Sequence, residues 1–187
     1  MADRIFLSYW LRGYTEFNML ATFEKALRKF PQSRMKPETI LRVVAVDFHE
    51  PAQTEHRFEE LTDVSAFTRL FREFEHADCA YQVEAHWDLW RYDGDWSLGP
   101  VPVVFTAFGP LFASDLGEQI LVEFGLDSQF LPQPEIEGSL TPVRSNIRSL
   151  LHLDEDLRKV LAVDKRTLWS ESGESLAETL QAALVGG

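Results

Sequence analysis

Two short strings carry most of the chemistry this chain could perform. Asp47-Phe48-His49 and His86-Trp87-Asp88 each place a carboxylate and an imidazole two residues apart. On an extended strand such residues leave the same face, so each string would project one acid beside one base. Gln82 and Glu84 lie on the same alternate positions as His86 and Asp88. A mixed set of imidazole and carboxylate suits Zn²⁺, Mn²⁺ or Fe²⁺, with His49, His86, Asp47 and Glu84 as the candidate ligands. The same groups suit acid–base catalysis, in which a carboxylate orients an imidazole. Both chemistries require the two strands to be neighbours; otherwise the alternation is a solvated face.

Other catalytic signatures are missing. The chain contains no GxGxxG, GxxxxGK[ST], HExxH or GxSxG, so these motifs leave the identity of any cofactor unknown. Cys79 is the single cysteine, which excludes an intramolecular disulfide and a thiolate-rich metal centre. Glu73, Glu75 and Asp78 closely precede it in sequence and would raise its pKa, so it reads as a core residue rather than a nucleophile. His56, His76 and His152 read as surface histidines. Aromatic residues are dense at Trp87, Trp90, Tyr92 and Trp96, with Trp10 and Tyr14 closing an earlier segment. Such rings stabilise hairpins through cross-strand pairs, and beside polar groups they line ligand sites. The candidate ligand-binding residues are therefore Trp10, Asp47, His49, Glu84, His86, Asp88 and Trp90.

The elements that must position these residues follow from periodicity. Ile5–Leu11 alternates as a strand; a helix capped by Thr15 extends to about Phe30, where Pro31 stops it. Ile40–His49 is rich in β-branched residues and predicts a second strand. Strand, helix, strand suggests a right-handed βαβ crossover onto a parallel pair. Residues 50–63 read as a polar connection. Asp63 caps a helix carrying Val64, Phe67, Leu70, Phe71 and Phe74 at helical spacing. Ala80–Tyr92 alternates with period two, one face apolar and one polar, as in an antiparallel sheet covered on one side. Asp93-Gly94 predicts a two-residue hairpin turn that sets His86 opposite Val101; a bulge at Gly99-Pro100 would shift that register by one. Gln119–Asp127 is a further strand. The expected class is α+β: a mixed sheet of about five strands (βαβ unit, helix, antiparallel meander), helices on one face, and a C-terminal helical extension. The expected organisation is a sheet domain over 1–131, a proline-rich linker over 132–143, and helices over 144–187 packed on the same domain, the last from Ser172 to Leu184.

Composition bounds the partners. A chain of 187 residues with 45% apolar content can bury about 70% of its surface without staples. Its net charge of −12 argues against nucleic acid and anionic membranes as partners. No Lys or Arg lies between Arg91 and Arg144, an interval with eight carboxylates; this favours a basic or cationic partner. No stretch approaches the ~20 apolar residues of a membrane span, and no secretory leader is evident, so a cytoplasmic location is expected. The leading functional expectation is a non-enzymatic module that binds a small molecule or a protein through a polar open sheet face and an aromatic hairpin. Homodimerisation through that face is a further expectation. The alternative is a metal-assisted or acid–base enzyme using His49, His86, Asp47 and Glu84.

Overall fold

The period-two stretch around Val83 forms the longest strand of the molecule, and the rest of the sheet is built outward from it. In a computed structural model, which describes residues 3–173 and 176–185, the elements in chain order are β1 (Arg4–Leu11), α1 (Met19–Leu27), β2 (Thr39–Ala45), β3 (Thr54–Phe58), α2 (Val64–Arg72), β4 (Cys79–Tyr92), β5 (Trp96–Phe108), β6 (Ile120–Leu126), a short 3₁₀ turn (Asp127–Gln129), α3 (Leu140–Val160), β7 (Val163–Ser170) and α4 (Leu176–Val185). The strands form one seven-stranded sheet in the order β3-β2-β4-β5-β6-β1-β7. Every pairing is antiparallel.

The α+β class therefore stands, but the mixed five-stranded sheet does not. β1 and β2 are not a parallel pair; β6, β5 and β4 lie between them. The crossover rule governs the handedness of neighbouring strands and says nothing of which strands become neighbours. Two additional strands, β3 and β7, form the edges. Their sequences, Thr-Glu-His-Arg-Phe and Val-Asp-Lys-Arg-Thr-Leu-Trp-Ser, carry the charges by which edge strands discourage further pairing. That charge removes the apolar alternation by which a strand is recognised.

The β4–β5 hairpin turns through three residues, Asp93-Gly94-Asp95, because Tyr92 pairs with Trp96; Gly94 supplies the left-handed conformation (φ 79°). The register is thus one residue away from that of a two-residue turn: His86 faces Pro102 and Glu84 faces Val104. The ladder runs unbroken past Gly99 and Pro100, so there is no bulge there. Both prolines precede the first β5–β6 pair, Val103 with Phe124, where a missing N–H costs no ladder bond.

Helix α1 is shorter than a Thr15 cap and a Phe30 end predict: its N-cap is Asn18 and it runs from Met19 to Leu27. The Asn18 side chain accepts from the Thr15 N–H (2.9 Å) and donates to the Gly13 carbonyl (2.7 Å), which folds residues 13–18 into a turn before the helix. Asp63 does cap α2, its Oδ1 accepting from the Ser65 N–H at 2.8 Å. Helix α3 begins at Leu140, inside the proline-marked stretch. Pro142 falls in its first turn, where the absent N–H has no helical partner to lose. The stretch after α3 is β7, not a connection between helices, and residues 174 and 175 of the last expected helix lie outside the described residues.

The four helices pack against one face of the sheet. The core joins Met19, Phe23, Phe71, Ile147 and Leu180 to alternate strand residues such as Leu7, Val43, Tyr81, Val103 and Val122. Two polar contacts anchor the helix layer. The Tyr9 hydroxyl donates to Asp154 on α3 at 2.7 Å, and Asp154 also meets Arg166 (3.2 Å) and Arg158 (3.4 Å). Burial, then the adjacent carboxylate, pushes the Tyr9 hydroxyl far above its ordinary pKa. Farther along, Asn146 of α3 accepts from the Trp90 N–H (2.8 Å) and donates to the Trp90 carbonyl (2.7 Å). It thereby satisfies the part of the β4 edge that extends beyond β2.

Candidate binding site on the open sheet face

Among the described residues no helix covers the opposite face, and cross-strand pairing orders its side chains into rows. One row runs Arg57, Ile40, Glu84, Val104, Glu123, Phe6, Trp169 across all seven strands; the next runs Glu55, Arg42, Gln82, Thr106, Leu121, Ser8, Thr167. The face thus divides into a polar half on β3, β2 and β4 and an aromatic half on β6, β1 and β7.

The polar half holds most of the residues singled out by sequence, and they are engaged with one another. Arg42 binds Glu84 and Glu55, each at 2.8 Å. Gln82 donates to Thr106 at 3.3 Å. Asp88 accepts from the Ser33 hydroxyl at 2.5 Å, and the Ser33 N–H donates to the His86 carbonyl at 2.7 Å. The segment carrying Ser33 folds beside His86 and leaves it only 7% exposed, with Nδ1 unpartnered. Burial, followed by the positive charge of Lys36, lowers the His86 pKa. Trp90 is half-buried at the far end of the same strand.

Asp47 and His49 are not part of this half. The chain leaves β2 at Val46, whose left-handed backbone (φ 69°) is unusual for a β-branched residue. Its N–H donates to the Asp78 carbonyl (2.9 Å) and its carbonyl accepts from the Ala113 N–H (3.2 Å). The following turn places Phe48 against Phe108 and Phe112, with ring centroids at 6.0 and 5.0 Å. His49 is left 98% exposed beside Asp47 (3.3 Å). Phe108 pairs with Ala80, so His86 lies six residues away along β4, about 20 Å. The set His49, His86, Asp47 and Glu84 is therefore not one cluster, and among the described residues no group of three or more His, Cys, Asp or Glu side chains converges as a metal site. The reason is local: residues 47–49 form a turn, so their period-two spacing does not project them from a strand. Trp10 is equally remote from Trp90. It lies in the row of Ala80 and Phe108, with Lys165 over its ring at 4.4 Å. The Cys79 thiol is buried and raised to about 11 by burial and by Asp78.

The aromatic half contains a cavity of about 430 Å³ that the sequence did not point to. Phe6 and Trp169 stack at 4.3 Å, and the Trp169 indole N–H donates to Ser8 at 2.9 Å. With Leu121 and Phe108 they form the floor; Phe48 and the loop 113–118 form the far wall. Gly109 starts that loop under close constraint: a Cβ there would overlap the Ala77 carbonyl oxygen. Glu118 lines the cavity, is 5% exposed, and leaves Oε2 without a partner. Burial raises its pKa, backbone N–H groups of Glu118 and Leu116 lower it, and Asp115 adds a smaller upward push. Arg4 is the only cationic residue of the wall, and Glu171 (2.7 Å) and Glu123 (3.0 Å) already engage it. The traceable sequence signals are the Lys- and Arg-free interval containing Glu118 and the apolar residue Phe6 within the alternating first strand.

A second cavity, about 700 Å³, opens on the helix side between the end of α1 and the start of α2. Val83 and Ala85 form its floor and Arg28 and Arg34 stand at its mouth; Arg28 is tied to Glu24 (2.6 Å) and approaches Asp63 (3.6 Å). No helix of the described residues is long and apolar enough to cross a membrane. No protein-family model, curated protein or solved structure matches this chain.

Proposed function

We propose that this chain is a non-enzymatic binding module that holds a small amphiphilic molecule in the aromatic half of its open sheet face. The observation that carries this reading is the cavity bounded by Phe6, Leu121, Trp169 and Phe48. Four helices leave that face uncovered, and the cavity's volume of about 430 Å³ falls within the roughly 300–1,000 Å³ of small-molecule sites. Its composition supports the same reading: aromatic and aliphatic side chains lie beside the buried carboxylate of Glu118, with Arg4, Asp115 and Glu171 also in the lining. The polar half offers a ligand less, because Arg42, Glu84, Gln82 and Asp88 already have protein partners. A cytoplasmic setting, supported by the single buried thiol, and a partner other than nucleic acid, supported by the charge of −12, belong to the same proposal.

Titration with the neutral fluorophore Nile red tests it. Saturable one-to-one enhancement is expected for the wild-type chain, lost in Leu121→Glu and retained in Leu61→Glu at the helix-side cavity. Loss in Leu61→Glu alone, or no saturable signal, would reject the open-face site. A concentration-dependent dimer broken by Leu121→Glu would move the reading to a second copy of the chain as occupant.

A further inference from the structure

The charges around the cavity are not balanced from within the protein. Asp115, Glu118 and Glu171 line it against the single cation Arg4, whose guanidinium is taken up by Glu171 and Glu123. Glu118 is left 95% buried with an oxygen that nothing satisfies. A buried polar atom of this kind costs free energy unless a partner arrives. The nearest partner-poor surface is aromatic. Phe48 and Phe108 present rings to the same space, and aromatic faces attract cations rather than anions. We infer that the cavity takes the ammonium group of a primary amine with an apolar alkyl or arylalkyl body, the nitrogen donating to Glu118 and the body lying against Phe6, Leu121 and Trp169. This rests on the binding reading above and adds the charge of the ligand to it.

The neutral and anionic analogues of one chain length separate the two claims. Octylammonium, octan-1-ol and octanoate are titrated at pH 7.5, with binding followed by calorimetry and by tryptophan emission. Octylammonium is expected to bind tighter than octanol by about tenfold or more, the value of one charge-assisted hydrogen bond, and octanoate to bind weakest. Glu118→Gln, which keeps the side-chain volume, is expected to abolish the preference for octylammonium over octanol. Denaturant unfolding of the variant reports that its fold is intact. Equal binding of all three, or a cation preference that survives Glu118→Gln, overturns the amine inference and leaves the cavity reading standing. Absence of binding by all three in the wild-type chain overturns both.

Discussion

The two halves of the open sheet face are made by the same sheet, yet they differ in what is left over. On β3, β2 and β4 most polar groups close on one another, Arg42 with Glu55 and Glu84, Gln82 with Thr106, Asp88 with Ser33, while the unpartnered His86 Nδ1 is shut in beside the Ser33 segment, away from the cavity. On β6, β1 and β7 the rings of Phe6 and Trp169 and the side chain of Leu121 bound a cavity beside a carboxylate with a free oxygen. The density of chemistry-bearing residues was therefore a poor guide to where chemistry is available. A polar cluster that satisfies itself is structural; one unsatisfied group in an apolar wall is where a ligand has something to gain.

The sharpest way to break this comparison is from behind. Tyr9 and Asp154 pin the aromatic half to α3, so Asp154→Ala should cost about 2–3 kcal/mol by leaving the buried Tyr9 hydroxyl unsatisfied and two partly exposed arginines without their carboxylate; denaturant unfolding measures it. A loss below 1 kcal/mol would show that the pin does not hold this half. Next, Trp169→Ala should cost about 2 kcal/mol, less than the ~3–5 kcal/mol of a fully buried aromatic, and should abolish Nile red binding. Arg42→Ala should cost about 1 kcal/mol, as partly exposed ion pairs do, with Nile red binding intact; impaired binding would erase the division of the face. The smallest effects are opposite in sign. His86, with its pKa lowered by burial and Lys36 and opposed by Glu84 and Glu38, binds a proton more readily when unfolded, so its contribution makes stability fall as pH drops below about 6.5. Glu118, raised by burial and Asp115, keeps its proton longer when folded, so its contribution makes stability fall as pH rises above about 4.3. Unfolding curves across pH 4–8 should lose the first slope in His86→Gln and the second in Glu118→Gln. Identical curves for both variants and the parent would contradict this assignment.

Legibility in the sequence followed the same division. β4 was readable because one of its faces is core and the other is not, and α2 because Asp63 and its phenylalanines agree. β3 and β7 were hidden by the charges that suit them to sheet edges. The neighbours of β1 could not be read from its own residues, since they depend on β7, a strand most of the chain away. Asp47 and His49 were misplaced because residues that end a strand still look β-branched and alternating until Val46 turns the chain. Glu118 left only a faint mark, a carboxylate in an interval without cations, because burial is a property of the fold and not of the residue.

One wall of the cavity also sets when it can exist. The bond from Trp169 to Ser8 spans 161 residues, and at about 5–20 residues per second of synthesis β1 waits about 10–30 s for the strand that covers its edge. During that interval the nascent chain carries Phe6 with no indole stacked on it. The ribosome therefore completes this cavity wall among its last acts on this sheet, and an interrupted chain ending before Trp169 lacks the ring that stacks on Phe6.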